Sequence, residues 1–137
     1  MSLINVPIAI GELIDKITIL EIKSQRMRDV GKLDNVTKEL ELLTNTWLTS
    51  GHANTTVEGQ RAALKAVNET LWDIEDQIRR KEIAREFDER FIELARAIYR
   101  HNDRRAALKR EINLALGSEI VEEKSYPDYA GKPEDSA

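Results

Sequence analysis

Cysteine is absent from the 137 residues, which excludes disulfides and thiolate chemistry and suits a reducing compartment. Proline and glycine are scarce, three and six residues respectively, which argues against a turn-rich β architecture. No stretch approaches the roughly 18 apolar residues of a membrane span. The opening "MSLINVPIAIGELIDK" lacks the basic flank of a signal peptide, so the chain is expected in the cytoplasm. Neither sign of charge dominates. The 21 basic and 25 acidic residues leave a net charge of -4, so there is no global attraction to nucleic acid or anionic lipid, and any basic site must be local.

What is present is charge and aliphatic bulk, 34% and 41% of the residues, in patterns of helical period. "SLINVPIAI" alternates Leu3, Asn5 and Pro7 with Ile4, Val6 and Ile8, an extended segment that Pro7 keeps out of any central strand position. From Ile10 the period becomes helical, with Ile10, Leu13, Ile14, Ile17 and Leu20 on one face of a helix that runs to about Arg28. "DVGK", with Gly31, reads as a turn. A second helix follows with Leu33, Val36, Leu40, Leu43 and Trp47 on one stripe, ending in the loop "SGHANTT".

A third helix, Val57 to Arg85, carries Val57, Leu64, Val67, Leu71, Ile74 and Ile78 in the alternating three-and-four spacing of a coiled-coil-like seam. In "EFDERFIEL", Asp88 is a good N-cap and Phe87 is placed to staple onto Ile92. So short a link makes the third and fourth helices an antiparallel hairpin, and the fourth runs to about Leu116, where Gly117 can stop it. "SEIVEEKSY" fits another extended piece, while "PDYAGKPEDSA" reads as a polar tail. The sequence thus implies one helical domain over 1–126 and a flexible tail over 127–137. The fold class is all-α: four helices in two consecutive antiparallel hairpins, with short extended N- and C-terminal segments available to pair.

Polar residues interrupt one stripe. At about 100° per residue, Phe91, Leu94, Ile98, Asn102, Arg105, Lys109, Ile112 and Leu116 share one line on the fourth helix. On the first helix Glu21, Ser24 and Arg28 continue the apolar stripe, and on the third Glu75 and Glu82 lie on it. Two readings stay open. In one, Glu21, Glu75 and Glu82 pair with Arg105 and Lys109, with Asn102 as a further partner, and fix helix register. In the other, the same six residues line an inter-helix pocket where Arg105 and Lys109 hold an anionic group and a glutamate acts as acid or base.

Other templates fail on spacing. A carboxylate-bridged dimetal bundle wants Glu-x-x-His pairs, and neither His52 nor His101 has Glu three residues before it, so no metal is expected. Gly-rich phosphate loops and nucleophile elbows are missing, and no cofactor is implied. Glu12-x-x-Asp15 and Glu86-x-x-Glu89 are the nearest approach to the paired acids of all-α nucleotide pyrophosphohydrolases. They stand in the wrong order, and one pair falls across a helix end, so both read as solvated charge. Arg79, Arg80, Lys81 and Arg85, and Arg100, Arg104, Arg105, Lys109 and Arg110, make two helices locally basic. Tyr99 is the one aromatic near the second run, which argues against a nucleic-acid partner. The sequons at Asn35, Asn54 and Asn68 carry little weight in so short a pattern.

Two resemblances add to this. "LIDKITILEIKSQRM" resembles the first helix of the all-helical chorismate mutases, through Ile14-Asp15, Ile19-Leu20 and Arg26 or Arg28. The arginine which that family places before the aspartate is missing, since Ala9, Ile10, Gly11 and Glu12 stand there. "IGELIDKITILEIK", "FIELARAIYRHNDRRAALKREIN" and "GSEIVEEKSY" are similar to stretches of a family of small bacterial proteins known only as a domain of unknown function. Some of its members are encoded near genes for surface polysaccharide or glycosyl transfer. That resemblance implies a conventional domain and supports its segment boundaries, without a mechanism. The expectation is a non-catalytic interaction or assembly module that forms a homodimer through the exposed parts of the Val57–Ile78 seam, or binds a protein partner, with no membrane association. The alternative is a small helical enzyme or ligand-binding protein acting on an anionic metabolite.

Overall fold

The computed structural model describes residues 2–53 and 55–129. It consists of α1 (Ile10–Arg26), α2 (Val30–Thr49), a short 3₁₀ turn (Thr55–Val57), α3 (Glu58–Ala84) and α4 (Glu89–Ala115). The fold is all-α, and no strand or bridge occurs among the described residues. Short links at 27–29 and 85–88 make α1–α2 and α3–α4 hairpins, as the stripe patterns imply.

The second helix begins earlier than the glycine suggests. Asp29 caps it, its carboxylate accepting from the Lys32 N–H at 2.9 Å, so Gly31 lies within the first turn of α2. A side chain that satisfies an orphan N–H outweighs the propensity cost of one glycine. Asp88 caps α4 in the same way, accepting from the Phe91 N–H at 3.0 Å. Phe87, the residue expected to staple onto this helix, meets Phe91 edge to face at 5.2 Å. Arg85 ends α3 in the left-handed region at φ 53°, where its N–H reaches Glu82 O and that of Glu86 reaches Lys81 O. That is the Schellman closure, with arginine where glycine is usual.

α1 is the central element and packs against each of the other three helices. It is buried on most sides, through Gly11, Leu13, Ile14, Asp15, Ile17, Thr18, Leu20 and Ile22. The core gathers Leu13, Ile14 and Ile17 with Trp47, Val57, Leu64, Leu108 and Ile112. Of the α3 seam, Val57, Leu64, Leu71 and Ile74 are buried within the chain, and Val67 and Ile78 are half-buried. Farther along, from Arg79 to Glu93, no residue is buried, so the α3–α4 hairpin projects beyond the core.

After α4 the chain turns at Gly117, whose φ of 64° suits glycine, and runs back along the helix as a strap over 118–129. Residues 2–8 form no regular secondary structure and are exposed. The two terminal segments do not pair with each other as strands. Their junction is a side-chain bond from the Ile10 N–H to Ser118 Oγ at 3.1 Å. Residues 127–129, read from composition as the start of the tail, lie along α4, and the rest of that tail and Asn54 fall outside the described residues.

Candidate functional site

Asp15, read from spacing as solvated, is fully buried. Arg105 approaches it from α4 with two parallel hydrogen bonds, Nε to Oδ1 at 2.9 Å and Nη2 to Oδ2 at 2.5 Å, the fork geometry that suits a guanidinium to a carboxylate. Asn68 of α3 adds Nδ2 to Asp15 Oδ1 at 2.9 Å and to Thr18 Oγ1 at 3.0 Å, while Thr18 donates to the Asp15 carbonyl at 2.8 Å. One carboxylate thus ties three helices together. Asn68 is buried in this cluster, which leaves no room for a glycan on it. The Asp15 hydrogen bond is the chief influence raising the Arg105 pKa above its ordinary value, against the cost of burial.

One turn on, Lys109 is buried and meets Glu12 at 2.7 Å and Glu122 of the strap at 3.4 Å. Burial is the largest single influence on it and acts downward. The Glu12 hydrogen bond and the Glu12, Asp15 and Glu122 charges outweigh it and raise the ammonium pKa. No buried side-chain polar atom is left without a partner among the described residues, and a fully satisfied network of this kind holds a register firmly.

Of the six residues that spacing singled out, Asn102, Arg105 and Lys109 come together on α4. Asn102 is exposed and reaches Arg105 Nη1 only at 3.5 Å. The glutamates go elsewhere. Glu21 faces Arg61 at 3.6 Å, Glu75 pairs with Arg79 at 3.2 Å, and Glu82 is exposed on the projecting hairpin. Glu12, Asp15 and Glu122 take the places expected of them. The reason lies in α1: a helix buried nearly all round has more than one inward stripe, and the column Gly11, Asp15, Thr18, Ile22 faces α3 and α4. A small residue and two short polar ones at helical spacing inside "IGELIDKIT" are the signal that could have found it.

Two hollows flank Arg105. A groove of about 420 Å³ lies between α1, α3 and α4, with Ile22, Leu71, Trp72, Glu75, Asn102 and Arg105 along it. On the other side, α4 and the strap enclose a cleft of about 800 Å³. Its lining is largely apolar, through Ile98, Tyr99, Ala106, Tyr126, Pro127 and Tyr129. Asn102, Asp103, Arg105, Lys109 and Lys124 stand at its floor and rim. The strap is held at three places. Glu122 meets Lys109 and Glu123 meets Arg110 at 2.6 Å, and at the far end Tyr129 packs on Tyr99 at 4.6 Å and donates to Asp103.

A family model described as "Family of unknown function (DUF6165)" matches residues 4–137. The chain belongs to this family. No curated protein and no solved structure matches. The family match spans the strap and the residues beyond it, so the segment that returns along α4 belongs to the family domain as much as the four helices do. Among the described residues of this family member, no group of three or more His, Asp or Glu side chains is arranged to hold a metal ion, and no helix is long and apolar enough to cross a membrane.

Proposed function

We propose that the protein is a non-catalytic interaction module that assembles through its apolar N-terminal arm, with a second copy of the chain as the partner. The observation that carries this is the arm itself. Leu3, Ile4 and Val6 are 72%, 89% and 64% exposed on a segment that has no charged residue from Ser2 to Ile10. A run of large exposed aliphatics with no charge among them marks an interaction surface. The charges inside the fold support the same reading from the other side, because Arg105 and Lys109 are committed to carboxylates of their own chain. The setting we infer is cytoplasmic, and the resemblance to proteins encoded near surface-polysaccharide genes supports a role for the assembly in that biosynthesis.

Sedimentation over a wide concentration range tests it. The wild type is expected to sediment as a dimer and Ile4→Ser/Val6→Ser as a monomer with unchanged helicity. A wild type that stays monomeric throughout overturns the reading.

One observation favours a second reading. The 800 Å³ cleft carries Arg105, Lys109 and Lys124 among its lining residues, the size and polarity of a pocket for a small anionic metabolite, bound or turned over. Thermal unfolding with inorganic phosphate or succinate separates the two. A saturable rise in Tm that disappears in Lys124→Met favours the ligand, and no shift favours the assembly.

A further inference from the structure

The cleft and the arm are complementary, and no described residue fills the one or covers the other. The arm's alternation puts Ile4, Val6 and Ile8 on one side and Leu3, Asn5 and Pro7 on the other. Fully extended, residues 3–8 span roughly 20 Å at about 3.3 Å per residue. The cleft floor from Ile98 to Lys109 runs about 16 Å along α4 at about 1.5 Å per residue. Chemistry matches as well as length. The arm is uncharged, and the cleft's two deepest cations are already neutralised by Asp15, Glu12 and Glu122, so an apolar segment can enter without stranding a charge.

The backbones match too. Among the described residues, no backbone hydrogen bond joins Glu119–Pro127 or residues 2–8 to another segment. The Ile120 carbonyl accepts from Ser118 Oγ at 2.7 Å; the remaining backbone N–H and C=O groups of the two stretches meet no other backbone segment among the described residues, which suits them as templates for strand addition.

The arm does not reach the cleft of its own chain. α1 runs antiparallel to α4, with Gly11 at Asn113 and Asp15 at Arg105. The cleft therefore lies alongside α1 in its forward direction, while the arm joins α1 at the opposite end, with Leu3, Ile4 and Val6 exposed and none of them lining the cleft. Reversal would have to occur at Ala9, which is buried and extended at φ -63°, ψ 148°, next to a stretch that Pro7 stiffens on both sides.

From these observations we infer that the arm of one copy, residues 3–8, lies in the α4–strap cleft of a second copy, adding as a strand beside residues 120–127 with Ile4, Val6 and Ile8 turned into the cleft. The exchange is reciprocal, so one two-fold axis relates two arm–cleft contacts. Together they bury two patches, which moves the total toward the roughly 1,600 Å² of a standard interface. Pro7 lacks an N–H and limits further strand addition, which keeps the assembly a dimer.

This inference rests on the assembly reading and adds the receiving surface to it. Because cysteine is absent, Ile4→Cys and Ala106→Cys each introduce a single thiol, and Lys124→Cys on the exposed strap supplies a second receiving position should Ala106→Cys lose helicity. Mixed in equal amounts at the wild-type dimer concentration and mildly oxidised, the two single variants are expected to give the Ile4–Ala106 crosslink in several-fold excess over either like pair. Predominance of Ile4–Ile4 crosslinks overturns the cleft as receiver while leaving assembly standing. A crosslink formed only within the chain of the double variant also overturns it, placing the arm in its own cleft. Absence of every crosslink from a chain that sediments as a monomer overturns the assembly reading itself.

Discussion

The backbone N–H of Gly11 in α1 donates to Asn113 Oδ1 of α4 at 2.6 Å. A Cβ at Gly11 would fall on the Lys109 carbonyl oxygen and within 2.9 Å of Asn113 Oδ1. Lys109 in turn holds the strap, so this contact sets the height at which the strap's anchor stands.

Gly11→Ala is therefore expected to destabilise the protein, against the intrinsic preference of helices for alanine. The propensity gain is at most about 1 kcal/mol, whereas pushing two backbones apart in a packed interior costs about 1–3 kcal/mol and the Asn113 bond is lost as well. Denaturant unfolding should show a net loss of about 2 kcal/mol. A stabilised variant would mean that the helices separate freely there.

Arg85 tests the opposite case. It holds a left-handed conformation at φ 53° to close α3, and its side chain is exposed. Arg85→Gly should raise stability by up to about 1 kcal/mol, since glycine reaches this region without the Cβ penalty. A small rise in the unfolding midpoint at unchanged slope is the expected result.

The far end of the strap has an alkaline signature. The hydrogen bond from Tyr129 to Asp103, with the Asp103 charge, pushes the phenol up to about 12. A raised phenol pKa means that the fold favours the neutral ring. The stabilisation is complete below the ordinary value near 10 and is lost as pH rises through about 12. Tyrosinate absorbance should show a late-titrating tyrosine in the wild type that returns toward the ordinary value in Asp103→Asn. Simultaneous ionisation of all three tyrosines in the wild type would place Tyr129 free of α4.

Much of the fold was legible because it depends on local pattern. The apolar stripes, the caps at Asp88 and Gly117 and the short links predict the helices to within a few residues. Asp29 shows the limit: a cap and a turn share the same residue types, and only the bond to the Lys32 N–H decides where α2 starts. The site was half legible. Arg105 and Lys109 stand out as cations on an apolar line, yet their partners lie about 90 residues away in sequence or across the strap. Centring α1 on a single stripe through Ile17 pointed to Glu21, because that method assumes one buried face. With helices on three sides of α1, Asp15 and Glu12 turn inward too. The seam of α3 shows the same limit, since periodicity shows that a face is covered and not which helix covers it.

The most direct test of the claim that the polar line belongs to the fold is denaturant unfolding of Arg105→Met beside Asp15→Asn/Arg105→Met. Removing the guanidinium alone strands a carboxylate that is 1% exposed, which should cost about 3 kcal/mol or more. Neutralising the aspartate as well should restore at least half of that loss. An Arg105→Met protein as stable as the wild type, or more stable, would contradict the account and return Arg105 to the cleft as a group kept for a ligand.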